Sequence, residues 1–585
     1  MKKYKSLASM VTATLLTVSL AGGASAADWT TYQGNDAHDG IITDSVRITA
    51  LTKDEIKQIS LHGNGAVNTS PVMQTLTNGD TYGYVLHNGG AVTGNNGGAR
   101  LTKVKANNAT QVWSKQLTLA AGFQLSSPLL VQGDNPASEA DDTVYVGTTG
   151  YAQLLKNNEL TGTSVSDWTV MGGTSDGEAI VLSGTEDTTL TQSNLTFNTT
   201  ATNRAALGIW VGNTATPGIE INVTVKVDGV TKVTKAFPAT TKAIEDTDNK
   251  GNYYYYVNEN FAATAGSNVS FEVDVVSGNT NDVKVDYASL YQQTGSLQKV
   301  TNLNADSPNN VTVVNGIAGQ INTPITTDGT YLYFGTWKGG SSSGTYYQMK
   351  ISDNSVKTFT PDSYGFYWAG AVKFGDYIVF GSDNGKVYYR SVSDFNGSGG
   401  VIDLSEMGDV TAGNVRSTIT VQDDALYLTS QGSGKGYLWK ITEDQETGDL
   451  IYDTHVQLSG TSTSTPVLTS NGNIYVGYYS GFQNGGVNVI DTDGEELAIS
   501  TIAEVGPVQS PIITYTSGTK DYLYFTTNSS TGAGYSYSFD DVTRDNREVW
   551  NTKEAEKNTY SLQGMATSNG YLMFGNDFNR LTIVK

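Results

Sequence analysis

Four histidines (His38, His62, His87 and His455) and no cysteine are all that the chain offers toward imidazole or thiolate chemistry. Disulfides, thiol nucleophiles and Cys-ligated metals are therefore excluded. Carboxylates are plentiful, 57 in 585 residues, yet no spacing singles out a pair for acid–base work. No Gly-x-Ser-x-Gly elbow, His-Glu-x-x-His helix or phosphate-binding loop is present. Two acidic turns have the composition of calcium loops: Asp491-Thr492-Asp493-Gly494-Glu495 and Asp246-Thr247-Asp248-Asn249-Lys250-Gly251. The second carries Lys250 where an oxygen ligand should stand and Val257 where the bidentate Glu should be. Asp, Asn and Gly are also the ordinary turn residues, so structural turns are expected, with Asp491 and Asp493 as the remaining metal candidates. In Tyr253-Tyr254-Tyr255-Tyr256 a strand would place two aromatics on each face. One face belongs in a core; the other is a stacking surface for sugar rings or a row of cross-strand aromatic pairs. Trp168 and Trp210 read as core.

The elements that would position these residues are set by a repeated phrase. A small residue, often Pro, is followed by an apolar pair, a turn, and a strand of the form Tyr-x-Tyr-x-Gly. Five starts carry Pro: Ser70-Pro71-Val72, Ser127-Pro128-Leu129, Thr323-Pro324-Ile325, Thr465-Pro466-Val467 and Ser510-Pro511-Ile512. Three lack it: Ala369-Gly370-Ala371, Ser417-Thr418-Ile419 and Gln563-Gly564-Met565. Five of the 11 prolines thus occupy one position, the first residue of a strand, where a missing N–H costs no ladder bond. Alternating runs such as Tyr331-Leu332-Tyr333-Phe334-Gly335 and Ile474-Tyr475-Val476-Gly477 are half-buried second strands. Third strands follow, as in Tyr437–Ile441 and Val487–Asp491, and fourth strands, as in Gln111–Ser114 and Arg547–Trp550. Four strands per unit, recurring roughly every 45–55 residues after Pro324, describe the blades of an all-β propeller. Eight blades are expected, with seven the runner-up. The last start leaves room for three strands, so Thr52 to Leu61 is expected to supply the fourth and close the ring.

The interval from Pro128 to Pro324 is too long for one blade. Blade 2 reads normally to Tyr151-Ala152-Gln153-Leu154-Leu155, and its fourth strand is expected at Ser296–Val300. Between them lie longer alternating strands, Ile219–Val227 with an Asp228-Gly229 turn and Val283–Leu290. They predict a jelly-roll-type β-sandwich inserted in blade 2, whose ends can lie close together. The expected organisation is a leader at 1–26, propeller at 27–162, inserted sandwich at 163–293 and propeller at 294–585.

Lys2, Lys3 and Lys5, the apolar stretch from Met10 to Ala21 and the small residues Ala24-Ser25-Ala26 read as a secretory signal. No later segment reaches membrane-spanning length. A formal charge of −22 argues against nucleic acid or an anionic membrane as partner.

The opening Asp28-Trp29-Thr30-Thr31-Tyr32-Gln33-Gly34-Asn35-Asp36-Ala37-His38-Asp39-Gly40, with Leu101–Ala106 and Thr110-Gln111-Val112-Trp113, resembles the quinoprotein-like (PQQ-type) β-propellers. That family holds both dehydrogenases and noncatalytic scaffolds, among them an outer-membrane assembly lipoprotein. The resemblance implies a ring scaffold, shared in architecture with WD40 propellers. It does not carry over the adjacent cysteines or the Glu/Asn/Asp metal set of the dehydrogenases, so no quinone cofactor is expected and calcium is left open. The segments Trp168–Gly173 and Val285–Leu290 are similar to the start and end of carbohydrate-binding jelly rolls. The expected function is a secreted, noncatalytic binding or scaffold protein, extracellular or at the cell surface (periplasmic if the source has an outer membrane). Its expected partners are glycans or envelope proteins. The alternatives are a self-associating subunit of a surface layer or filament, and a quinoprotein or glycan-active enzyme.

Overall fold

Each copy of the repeated phrase opens one antiparallel sheet. The computed structural model describes residues 28–585 apart from 62–64, 90–98, 118–123, 150, 157–159, 161–166, 176–179, 197–200, 212–220, 238–243, 246–252, 264–265, 277–282, 289, 294–295, 305–309, 315–316, 318, 339, 423, 492–497, 503–504, 531–532 and 556; for the strands Ala201–Val211 and Tyr253–Ala263 the backbone alone is described. Among the described residues, seven four-stranded sheets and one of five strands follow one another as propeller blades. Their first strands are Val72–Thr75, Leu129–Val131, Thr326–Thr327, Val372–Phe374, Thr420–Gln422, Val467–Leu468, Ile513–Ser517 and Ala566–Ser568. These sheets are numbered 1 to 8 in that order.

The residues of the phrase have separable jobs. Pro cannot donate to the ladder, and whether or not Pro is present a hydroxyl at the start can bond both backbone groups near the end of the second strand. Thr323 Oγ1 accepts from Gly335 N at 2.8 Å and donates to Gly335 O at 3.4 Å. Ser417 makes the same reciprocal pair with Thr429, at 2.8 and 3.2 Å, and Ser510 with Thr526, at 3.2 Å each way. The Gly that ends the second strand marks close approach of the link entering a neighbouring sheet. A Cβ at Gly147, Gly381 or Gly575 would fall 2.4 Å from Ile321, 2.1 Å from Val415 or 2.1 Å from Val67. Where Thr stands instead, its hydroxyl bonds to that link: Thr429 to Ser464 O at 2.9 Å and Thr526 to Gln563 O at 2.8 Å.

Apolar side chains on both faces of these strands then join sheet to sheet. Leu86 and Trp113 of sheet 1 pack with Val144 and Val300 of sheet 2. Leu297 shares a buried cluster with Phe334, Tyr346 with Phe380, Tyr389 with Trp439, Tyr427 with Val476, and Tyr475 with Phe539, joining sheets 2 through 7 in turn. One last cluster holds Tyr524 and Trp550 of sheet 7, Leu572 and Ile583 of sheet 8, and Met73 and Val85 of sheet 1. The ring is therefore closed. Its outermost strand in sheet 8 is Lys57–Ser60, paired antiparallel with Arg580–Val584, so the first strand among the described residues completes the last sheet, as the sequence predicts.

Sheet 2 corrects one expectation. Ser296–Thr301 pairs directly with Thr143–Thr148 and is the third strand, not the fourth; Asn310–Val314 is the fourth. Tyr151–Gln153 belongs instead to a two-stranded ribbon with Tyr291–Gln293. The apolar alternation of Tyr151–Leu155 is that of a stem and not of a blade strand. Between the two stem strands lie a six-stranded and a five-stranded antiparallel sheet. They bury a shared core in which Ile180, Leu182, Val283 and Val285 of one sheet face Val223, Val225, Phe271 and Val273 of the other. Trp168 lies just before the strand Thr169–Met171, edge-on to Phe271 with ring centroids 6.0 Å apart.

One charged pair is sealed inside the ring. Lys103 and Glu139 form an ion pair with each side chain 4% exposed. Tyr84 also donates to Glu139, Lys103 Nζ donates to Leu303 O at 3.1 Å, and Gln74 Nε2 donates to Asp142 at 2.8 Å. Removing one partner leaves the other charge buried and uncompensated. Lys103→Met is expected to cost about 3–5 kcal/mol, read as a lower denaturant midpoint, and adding Glu139→Leu to recover most of the loss. A single variant as stable as the parent would show that solvent reaches the pair.

Candidate ligand-binding face

The chain blocks its own ring on one side. Residues 29–42, ahead of the first blade, run across the axis along the inner strands. Trp29 pairs with Met73 in sheet 1, and Thr30 O accepts from Leu130 N in sheet 2 at 2.8 Å. Ala37 O accepts from Val421 N in sheet 5 at 3.0 Å, while Ile41 bridges to Thr514 in sheet 7. Tyr32 is buried and its hydroxyl lies 3.3 Å from Thr465 Oγ1, at the entry to sheet 6. Asp36 reaches the charges of Asp328 and Lys373, and burial raises its carboxyl pKa. The plug occupies the side toward which the inner strands run. His38, fully buried with a left-handed backbone (φ 53°), rests on Ile419 O at 3.3 Å, edge-on to Tyr32.

The opposite face carries the links that enter each sheet and the loops between second and third strands. The insertion leaves the ring in such a loop, between Thr148 and Ser296, and so rises from this face. On the same face, sheets 3 to 7 contribute aromatic, amide and charged side chains. Trp337 ends the second strand of sheet 3 and stands edge-on to Tyr367, with ring centroids 5.4 Å apart. Tyr367 touches Trp368 at 5.0 Å, and the Arg416 guanidinium lies over it at 4.6 Å. Arg416 donates twice to Asp383, at 2.7 Å each. Burial alone would lower the Arg416 pKa, and the Asp383 carboxylate more than offsets this. Farther round, Gln431 donates to Tyr479, and Asn528 to Gln509. Burial raises the Tyr479 phenol, with the Gln431 and Gln509 bonds acting against it. This arrangement can stack and hydrogen-bond a ligand.

The residues singled out in the sequence fall elsewhere. Tyr253–Tyr256 lie in the strand Tyr253–Ala263, where Tyr254 is in register with Trp210 and Ile244. Asp491, at the end of a third strand, faces Arg544 at 3.6 Å, a cation already in place. Asp493 and the turn Asp246–Gly251 lie outside the described residues, as do the leader and His62. Among the described residues no three His, Asp or Glu side chains converge as a metal site. The sequence did hold a signal for the aromatic mouth: Tyr364-Gly365-Phe366-Tyr367-Trp368, in a link where polar residues are the norm.

A cavity of about 550 Å³ opens on the plugged side, lined by Asp28, Gln74, Gln132, Asp142 and Asn569 among others. Its polar groups are spent on one another. Asp28 accepts from Thr75 N and Gln132 at 2.7 Å and from Ser568 at 3.2 Å, and burial nevertheless raises its pKa. These bonds hold the start of the plug.

No family profile matches the sequence, and no curated protein matches it. Among solved structures, BamB from Moraxella catarrhalis is 16% identical over 51% of this chain and 80% of its own, with a TM-score of 0.35. A mitotic checkpoint complex structure is 10% identical over 50% of this chain and 81% of its own, with a TM-score of 0.37. The fold stands on the strand pairing itself.

His38 makes the plug acid-sensitive. Burial pushes its pKa from 6.5 down to about 4, so the unfolded chain binds a proton that the folded chain refuses. Stability from this residue is full above its unfolded pKa and falls as pH drops from 6.5 toward 4, by about 3 kcal/mol. His38→Asn, which tolerates the left-handed backbone, is expected to flatten the melting temperature over that range. The raised Asp28, Asp36 and Asp577 act in the opposite sense in both proteins and cancel in the difference. Equal slopes for parent and variant would refute a neutral buried His38.

Proposed function

We propose that this protein is a secreted, noncatalytic propeller that binds glycans or envelope proteins outside the cell membrane and acts there as a binding or scaffold module. Residues 163–293 serve in this reading as an accessory binding unit on the ring. The observation that carries the reading is the asymmetry of the two faces. One is filled by the chain's own residues 29–42, while the other gathers the insertion and a mouth of half-buried aromatic and amide side chains. Ligand sites favour such concave, aromatic-lined places with a few fixed polar groups.

The reading includes no quinone cofactor and leaves calcium open. In this reading the plug takes one side of the axis, and among the described residues no three His, Asp or Glu side chains converge as a metal site. Secretion rests on the leader-like residues 1–26; among the described residues no helix is long and apolar enough to cross a membrane.

The full mature chain is expected to bind an envelope glycan or an envelope protein saturably and to release it chemically unchanged. Mixed with the quinone and calcium, it is expected to reduce no dye. Dye reduction, turnover of the bound glycan, or failure to bind either class would overturn this function.

A further inference from the structure

The open face gathers aromatic and polar side chains on the ring itself. The link from Pro361 to Ala371 is pinned by Phe366, which is fully buried and edge-on to Tyr346 at 4.9 Å. On either side of this anchor the backbone takes a form that bulky residues rarely adopt: φ is 64° at Tyr364 and 59° at Trp368. Backbone of this kind persists where its surroundings over-determine it, and it gathers at functional sites. Here it presents Tyr367 and Trp368 half-buried beside Trp337, a continuous aromatic shelf at the mouth.

Polar groups border the shelf, and several are unspent. Arg416 uses two N–H groups on Asp383, leaving its others for a ligand. Trp368 N donates to Asn322 O at 3.3 Å, which holds these two residues side by side. Their side chains offer a buried donor, Trp368 Nε1, and a buried acceptor, Asn322 Oδ1, both without a hydrogen-bond partner. Buried polar groups are rarely left so. A hydroxyl both donates and accepts, and one hydroxyl could serve both groups. The Arg416 charge is matched by Asp383, and the chain carries −22 overall, so an anionic ligand gains nothing here.

We propose that this mouth binds a neutral pyranoside chain, with a sugar ring stacked on the Trp337–Tyr367–Trp368 shelf and hydroxyls bonded to Arg416, Trp368 and Asn322. The proposal rests on the glycan-binding reading above, and it places the ligand on the ring instead of on the inserted sandwich.

The test is calorimetry of the full mature chain with neutral hexose oligosaccharides and with uronic-acid oligosaccharides of equal length. Three variants are compared: Trp337→Leu, Trp368→Phe, and a sandwich variant joining Tyr254→Ala to Tyr256→Ala. The parent is expected to prefer the neutral chains. Trp337→Leu and Trp368→Phe should each weaken binding about tenfold or more at an unchanged melting temperature, and the sandwich variant should bind as the parent does. If Trp337→Leu lowers the melting temperature, Trp368→Phe decides, because it keeps an aromatic six-membered ring on the shelf while removing the N–H donor together with the pyrrole ring that carries it. Binding lost in the sandwich variant and kept in both mouth variants would overturn the mouth site and leave glycan binding standing. A preference for uronic-acid chains would overturn the neutral-ligand assignment. A parent that binds no glycan would overturn both readings.

Discussion

Each sheet of this ring is apolar on both of its faces, and only another sheet can cover them. Within the strand Tyr331–Trp337 the alternation sends Leu332 and Phe334 into one intersheet cluster and Tyr333 into the next. A stack with free ends would expose two such faces to water, at roughly 25 cal/mol for each Å² of apolar area. Closure removes both ends. That is why Lys57–Ser60 is drawn from the far end of the sequence into the last sheet, and why the second-strand glycines leave room for neighbouring links.

Closure creates an axis, and the axis has to be satisfied too. Inner-strand hydroxyls and main-chain groups converge there from all sides. Sheets 5 to 7 meet this need with the plug, through Thr420, Thr465 and Thr514. Around the entries to sheets 1 to 3, Asn68 Oδ1, Ser70 Oγ, Ser126 Oγ and Asn322 Oδ1 stay unspent. The plug does not use up its own side either: Thr31 Oγ1, Gln33 Oε1 and Thr514 Oγ1 stay unspent there as well.

How much of this was legible depends on how local the cause is. Strand starts could be read because Pro, Ser and Thr act within their own sheet: Thr323 answers Gly335 twelve positions away. The shared last sheet could be read by counting strands against the space left before Lys585. The order of strands in sheet 2 could not, because Tyr151–Gln153 has a blade-like pattern while its partner, Tyr291–Gln293, lies beyond the insertion. The plug is visible as a sequence phrase, yet its role depends on partners as remote as Ile512, which accepts from Gln33 at 3.2 Å. The mouth was missed for a similar reason. Trp337, Trp368 and Arg416 belong to three successive repeats, and no spacing rule joins them.

The stem of the insertion has a consequence of another kind. Thr148 and Ser296 are register partners, joined through their hydroxyls at 2.6 Å. Two adjacent strands of an intact sheet therefore hold the two ends of the sandwich together, with the core of the sandwich separate from that of the ring. To the ring, the insertion is an elongated hairpin turn. Such a junction works as a socket: a lineage can swap or discard what it carries without re-solving the packing of the blades, so the scaffold and its cargo can evolve at different speeds.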